Sequence, residues 1–205
     1  MHLVGSMEYP LNNLNRFEVV LASNSPRRKQ LLEQLGMQFT TRVIGDIDES
    51  YPEDMPADEI AAFISSKKAA AYRETIGDNE LVITADTIVW LEGKALGKPV
   101  DADDARRMLR NMSGKTHQVF TGVTITTASV QSSFAACSNV TFAVLTDDEI
   151  EHYVTKYKPM DKAGAYGAQE WIGYIGMENI EGSYFNVMGL PVQRLYNELK
   201  QIPAL

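Results

Sequence analysis

The junction at residues 17–36 constrains the chain most. There an apolar run passes through three polar residues into a capped helix. Residues 17–22 are rich in Val and Leu and read as a short buried strand. Ser23-Asn24-Ser25 follows, and Pro26 opens a helical stretch reaching Leu35. Ser25 suits the N-cap, Pro26 the first helical position and Gly36 the stop. A strand feeding directly into a helix calls for a sheet covered by helices, so the expected class is α/β.

The pattern then continues and changes. Residues 39–44 read as a second strand, and the acidic stretch 46–54 as a loop. Residues 56–76, with Ile60, Phe63, Ile64 and Tyr72, form the longest helix candidate. Residues 81–91 are strand-like, and Glu92-Gly93 turns the chain into Lys94–Leu96. Asp101 caps a helix carrying Ala105, Met108, Leu109 and Met112. After Gly114, residues 119–127 and 133–145 predict a long antiparallel pair. Thr146-Asp147-Asp148-Glu149 matches a capping box. A glycine-rich region, 164–189, precedes a last helix at 191–201. Residues 1–6 read as a cloning scar ahead of a start at Met7, leaving one domain over 7–205 without a clean internal boundary.

Composition narrows the partners. The 205 residues hold 27 acids and 19 bases, a formal net charge of −8. An acidic chain is a poor partner for a nucleic-acid polymer or an anionic membrane, yet a local basic pocket can still hold a small phosphorylated ligand. No apolar run approaches a membrane span and no signal peptide is read at the start. The single Cys137 cannot form an internal disulfide, which fits a reducing cytoplasm.

Three constellations carry candidate chemistry. Ser23, Ser25, Arg27 and Arg28 sit at a strand-to-helix turn, where free N–H groups, hydroxyls and guanidinium forks suit a phosphate chain. A capped surface helix with solvated arginines explains the same residues about equally well. Asp86 interrupts a Leu/Val/Ile-rich strand, a costly placement unless it is paired or bound to metal. Asp46, Asp48 and Glu49 offer a second carboxylate, although a solvated acidic loop is the simpler reading of each. Such oxygen ligands favour Mg²⁺ or Mn²⁺ over zinc. Among the lysines, Lys67 and Lys68 lie late in the long helix, and Lys98 and Lys162 stand in tight Gly- or Pro-containing loops. Gly114-Lys115-Thr116 fails as a P-loop, because the earlier glycine position is Leu109. The acidic loop fails as a calcium loop, with Tyr51 and Ala57 at the diagnostic positions. His117, a lone histidine opening a strand, reads as structural.

Leu21-Ala22-Ser23-Asn24-Ser25-Pro26-Arg27-Arg28 resembles the opening signature of the Maf family of nucleotide pyrophosphatases. The resemblance continues through Ala85-Asp86-Thr87, Gly97-Lys98-Pro99, Ser113-Gly114-Lys115-Thr116-His117, the run from Asp161 to Gln169, and Gly182-Ser183-Tyr184 to Gly189-Leu190-Pro191. It implies an elongated mixed sheet flanked by helices, two lobes with a central cleft, and an often dimeric molecule. It also implies divalent-metal-dependent cleavage of a nucleoside triphosphate to the monophosphate and pyrophosphate. By this resemblance Asp86 is the catalytic base, and Arg28, Lys68 and Lys98 belong to the phosphate site. Glu49 is the second acid, with Asp48 open as its alternative, and Asp86 with Glu49 would hold the metal. Arg27, Thr87 and Gln169 match positions of base selection. Ser23, Ser25 and Lys162 complete the substrate-binding candidates.

The Tyr-Gly-x-Gln form of the fifth block resembles the branch acting on dTTP and UTP. The alternatives are the same reaction on 7-methyl-GTP or CTP, and a non-catalytic nucleotide-binding regulator, since the family is linked to septum formation. One departure from the family pattern is Thr84, where many members carry Gly.

Overall fold

The structure, a computed structural model, describes residues 10–203, so the expectation of a scar at 1–6 lies outside the described residues. The expected opening junction is present. Strand β1 (Glu18–Leu21) leads into helix α1 (Pro26–Gln34), with Ser25 as its N-cap. The helix ends at Gly36, whose φ of 82° is a left-handed conformation that side chains disfavour.

The other elements follow in chain order. They are β2 (Thr40–Thr41), α2 (Ala57–Ala70), β3 (Glu80–Leu91), β4 (Lys94–Leu96) and α3 (Ala102–Met112). Then come β5 (Thr116–Thr126), β6 (Gln131–Phe142), α4 (Asp147–Tyr157), α5 (Trp171–Gly176), β7 (Met177–Glu181), α6 (Tyr184–Val187) and α7 (Val192–Leu199). The strands form one mixed sheet in the order β2-β1-β3-β5-β6-β7, with β4 paired to β3. β1 is parallel to β2 and β3, and every later pairing is antiparallel. The expected β-rich pair is β5 and β6, joined over eleven registered positions from Thr116↔Thr141 to Thr126↔Gln131.

The apolar stripes bury as their spacing requires. Ala105, Met108, Leu109 and Met112 of α3 are all buried, as are Ile150, Tyr153 and Val154 behind the capping box of α4. Both join the core on the sheet face that also buries Leu21, Ile83 and Val123. α2 packs elsewhere, with Ile60, Ala61 and Ile64 against Ile88 and Phe120.

Three regions differ most from expectation. The strand expected at 39–44 is only two residues long, because the Tyr72 hydroxyl donates to the Arg42 carbonyl (2.8 Å) and accepts from the Ile44 amide (3.0 Å). A side chain thus replaces the sheet ladder and peels the chain away toward the cleft. The helix expected to reach residue 76 stops at Ala70 and tightens into i→i+3 turns, where buried Tyr72 packs on Val20 and Val82. The glycine-rich region contains α5, the edge strand β7 and α6, which glycine punctuation concealed.

Candidate active site

A cleft of about 780 Å³ opens beside the β1–α1 turn. That volume suits a nucleotide-sized ligand. Its walls come from the turn 22–28, loop residues 43–51, the end of α2, the middle of β3, the segment after β4, loop 161–169 and residues 187–189. All the site residues expected from sequence line it, apart from Asp48 and Lys67.

The centre of the cleft is one lysine between two carboxylates. β3 carries Asp86 into the cleft, and α2 brings Lys68 above it in its last turn. Lys68 Nζ lies 2.7 Å from Asp86 Oδ1 and 2.9 Å from Glu49 Oε1. The Asp86 side chain is only 13% exposed, whereas that of Glu49 is 56% exposed. One acid is therefore fixed and sheltered while the other arrives on a solvated loop. Asp48 and Glu49, the two candidates for the second acid, have different partners. Asp48 accepts from Lys67 Nζ (2.8 Å) and from the Ser50 amide and hydroxyl, which hold its pKa well below the usual carboxylate range. Glu49 is the acid that shares a partner with Asp86.

The arginine turn is more tightly tied than a pair of solvated forks. Arg28 Nε donates to the Gly189 carbonyl (2.8 Å), Nη1 to the Ala85 carbonyl (2.9 Å) and Nη2 to Thr87 Oγ1 (3.0 Å). Ser25 Oγ accepts from the Arg28 amide, and Ser23 Oγ accepts from the Ser25 amide. Burial lowers the Arg28 pKa, and the charge of Asp86 opposes that shift. Arg28 thus joins α1, β3 and the Gly189 turn while placing a positive charge beside Asp86. Arg27 lies across the cleft mouth from Asp161, at 3.5 Å.

Lys98 is exposed on the wall, in a loop anchored by the Gly164 amide on the Gly97 carbonyl (3.0 Å). Lys162 is buried, 2.7 Å from Asp161 and 3.1 Å from Glu170, so its charge is balanced inside the protein. Gln169 also lines the cleft, and its Oε1 is buried without a hydrogen-bond partner among the described residues.

Sequence reasoning missed several supporting residues. Glu170 accepts from the Tyr153 hydroxyl and from Lys162, clamping the loop that carries Gln169. A carboxylate in a run of Gly and Ala was its only signal. Thr121 links Thr87 Oγ1 (2.9 Å) to the Asn186 carbonyl (3.0 Å), a contact between distant segments that no local motif announces. His117 stays outside the cleft, buried with Nε2 2.7 Å from the Tyr166 hydroxyl, in keeping with its structural reading.

Two carboxylates on neighbouring elements are the hard-oxygen donors that Mg²⁺ takes together with substrate phosphates and water. Among the described residues no group of three or more His, Cys, Asp or Glu forms a complete cation cage. Among them also, no helix is long and apolar enough to cross a membrane.

The chain is similar to known proteins over most of its length. The family profile described as Maf-like protein matches residues 18–202. A Bacteroides fragilis protein named dTTP/UTP pyrophosphatase is 60% identical over 192 residues, covering 94% of this chain and 100% of its own length. A Phocaeicola vulgatus protein of the same name is 59% identical with the same coverage. A Flavobacterium johnsoniae protein, also so named, is 44% identical over 91% of this chain and 95% of its own.

Proposed function

The chain belongs to the Maf-like family, and from that premise we propose that it hydrolyses dTTP and UTP to the nucleoside monophosphate and pyrophosphate. The observation that carries the reading is Asp86, sheltered in the cleft and held 2.7 Å from Lys68. The Asp86 carboxylate orients a water molecule and takes its proton as the water oxygen attacks the α-phosphorus. The new P–O bond forms as the bond from the α-phosphorus to the bridging oxygen breaks, so that pyrophosphate leaves with that oxygen. No covalent enzyme intermediate is required. Lys68 and Lys98 stabilise the charge that gathers on the departing group, and Arg28 adds its fixed positive field. Asp86 and Glu49 would hold a divalent cation, Mg²⁺ or Mn²⁺, whose chemistry is the polarisation of phosphate oxygens.

Base choice rests on Gln169 with Arg27 and Thr87. An unsatisfied buried acceptor costs roughly 1–3 kcal/mol, a cost that a substrate donor removes. Uracil and thymine carry an N3–H that cytosine lacks, which favours dTTP and UTP over CTP. The cleft separates two lobes of a single domain in this reading, and the molecule works without a nucleic-acid polymer or a membrane.

A nucleotide panel with Mg²⁺ or Mn²⁺ tests the reading, with monophosphate and pyrophosphate measured together. dTTP and UTP should be turned over best, Asp86→Asn should lose at least about a hundredfold in kcat, and chelation should stop turnover. Release of pyrophosphate from no triphosphate contradicts the activity, and full activity in Asp86→Asn contradicts the role of Asp86. Preferred turnover of 7-methyl-GTP contradicts the base assignment.

A further inference from the structure

We infer that Thr84 is a positioning residue whose hydroxyl sets helix α2 on strand β3 in the register that brings Lys68 to Asp86. This rests on the roles proposed above for Asp86 and Lys68.

Thr84 and Asp86 are two apart on β3 and face the same side of the sheet, beside Thr124 and Gly122 of β5. Helix α2 lies directly on this face. A Cβ on Gly122 would stand 2.2 Å from the backbone of Ala61, so no side chain separates helix from strand there. Beside the apolar packing of Ile60 and Ile64, directional bonds fix how far the helix slides here. Hydroxyls supply them. Thr84 Oγ1 donates to the Ser65 carbonyl at 2.8 Å. Ser65 Oγ and Thr124 Oγ1 are 2.6 Å apart, and Thr124 Oγ1 and Ser133 Oγ 2.9 Å. Ser65, Thr84 and Thr124 are all fully buried, so water cannot substitute for these bonds.

Close to the Thr84 bond is the 2.7 Å pair of Lys68 and Asp86. Helix α2 runs opposite to β3, since Ala61 lies over Gly122 beside Asp86, Ser65 bonds Thr84 and Tyr72 packs by Val82. The Lys68 side chain therefore reaches back toward the start of its helix to meet Asp86. Sliding α2 along β3 would change the distance that Lys68 must span, so the Thr84 bond that resists sliding holds the pair. Packing alone does not require a hydroxyl at position 84, because valine fills the same volume and suits a buried strand.

Thr84→Val, Thr84→Ser and Asp86→Asn separate the possibilities when kcat, KM, melting temperature and the Kd of a non-hydrolysable α,β-imido dUTP are measured for each. Thr84→Val should lose about tenfold to a hundredfold in kcat, with KM and analogue Kd little changed. Thr84→Ser should recover most of that loss. Where Thr84→Val does not fold, Thr124→Val breaks the same hydroxyl rail and should show the same split. A variant that lowers the melting temperature but keeps kcat overturns the inference, as does a serine variant no better than valine. An inactive Asp86→Asn beside an unimpaired Thr84→Val contradicts the positioning role alone. A fully active Asp86→Asn contradicts the underlying assignment and the inference with it.

Discussion

At the residue scale, charge in the cleft is arranged rather than abundant. Lys68 is shared by a sheltered acid and an exposed one, while Lys162 is neutralised inside the wall. Asp86 was legible in the sequence because a carboxylate inside an apolar strand needs a reason. Glu170 and Thr121 were not, because their partners lie on remote segments and neither residue type is unusual where it stands.

His117 leads to a pH prediction at the same scale. Burial lowers its pKa from 6.5 to about 4. The unfolded chain therefore binds a proton there between those values while the folded chain does not. Stability is complete above about pH 6.5, falls as pH drops toward about 4, and this contribution levels off below that. The loss should approach about 3 kcal/mol, since each pKa unit is about 1.4 kcal/mol. Denaturant titrations at several pH values should show the slope in the parent and a shallower one in His117→Gln. Equal slopes would remove His117 as the cause.

At the element scale, the parts with strong local signals appeared where expected. The cap at Ser25, the capping box at Thr146 and the stripe of α3 each concern residues within one or two turns, where local chemistry decides. Strand β2 and the end of α2 failed for a shared reason. Both are settled by Tyr72, whose hydroxyl captures the backbone of residues 42 and 44 and whose ring is buried against β1 and β3. That is a tertiary effect overriding local pattern. The seating of α2 on β5 was equally silent, because Gly122 reads as an ordinary strand interruption until the helix backbone is seen above it. Gly122→Ala should push α2 off the sheet. Overpacking of this kind costs about 1–3 kcal/mol, and each kcal/mol should lower the melting temperature by about 2–4 °C. The same displacement should lower kcat by separating Lys68 from Asp86. An alanine variant with parental melting temperature and kcat would contradict the close seating.

At the scale of the whole molecule, the net charge of −8 shares its sign with the proposed substrate. Bulk attraction therefore cannot gather nucleotides, and binding falls to a few placed cations around one cleft. The sheet explains how distant segments supply them. β1 delivers the arginine turn, β3 the aspartate and the Lys98 loop beyond β4, while α2 lies over the junction with Lys68. The resemblance to the Maf family identified the arginine turn, the aspartate and the Lys98 loop as blocks in order and assigned Lys68 to the phosphate site, but gave no sign that Lys162 is balanced within the wall.

The central claim is that Asp86 directs water to the α-phosphorus. Hydrolysis of UTP in ¹⁸O-water, followed by mass spectrometry of both products, tests it most directly. The account predicts one ¹⁸O in UMP and none in pyrophosphate, with both products lost in Asp86→Asn. Label in pyrophosphate, or undiminished labelled UMP from Asp86→Asn, would contradict it.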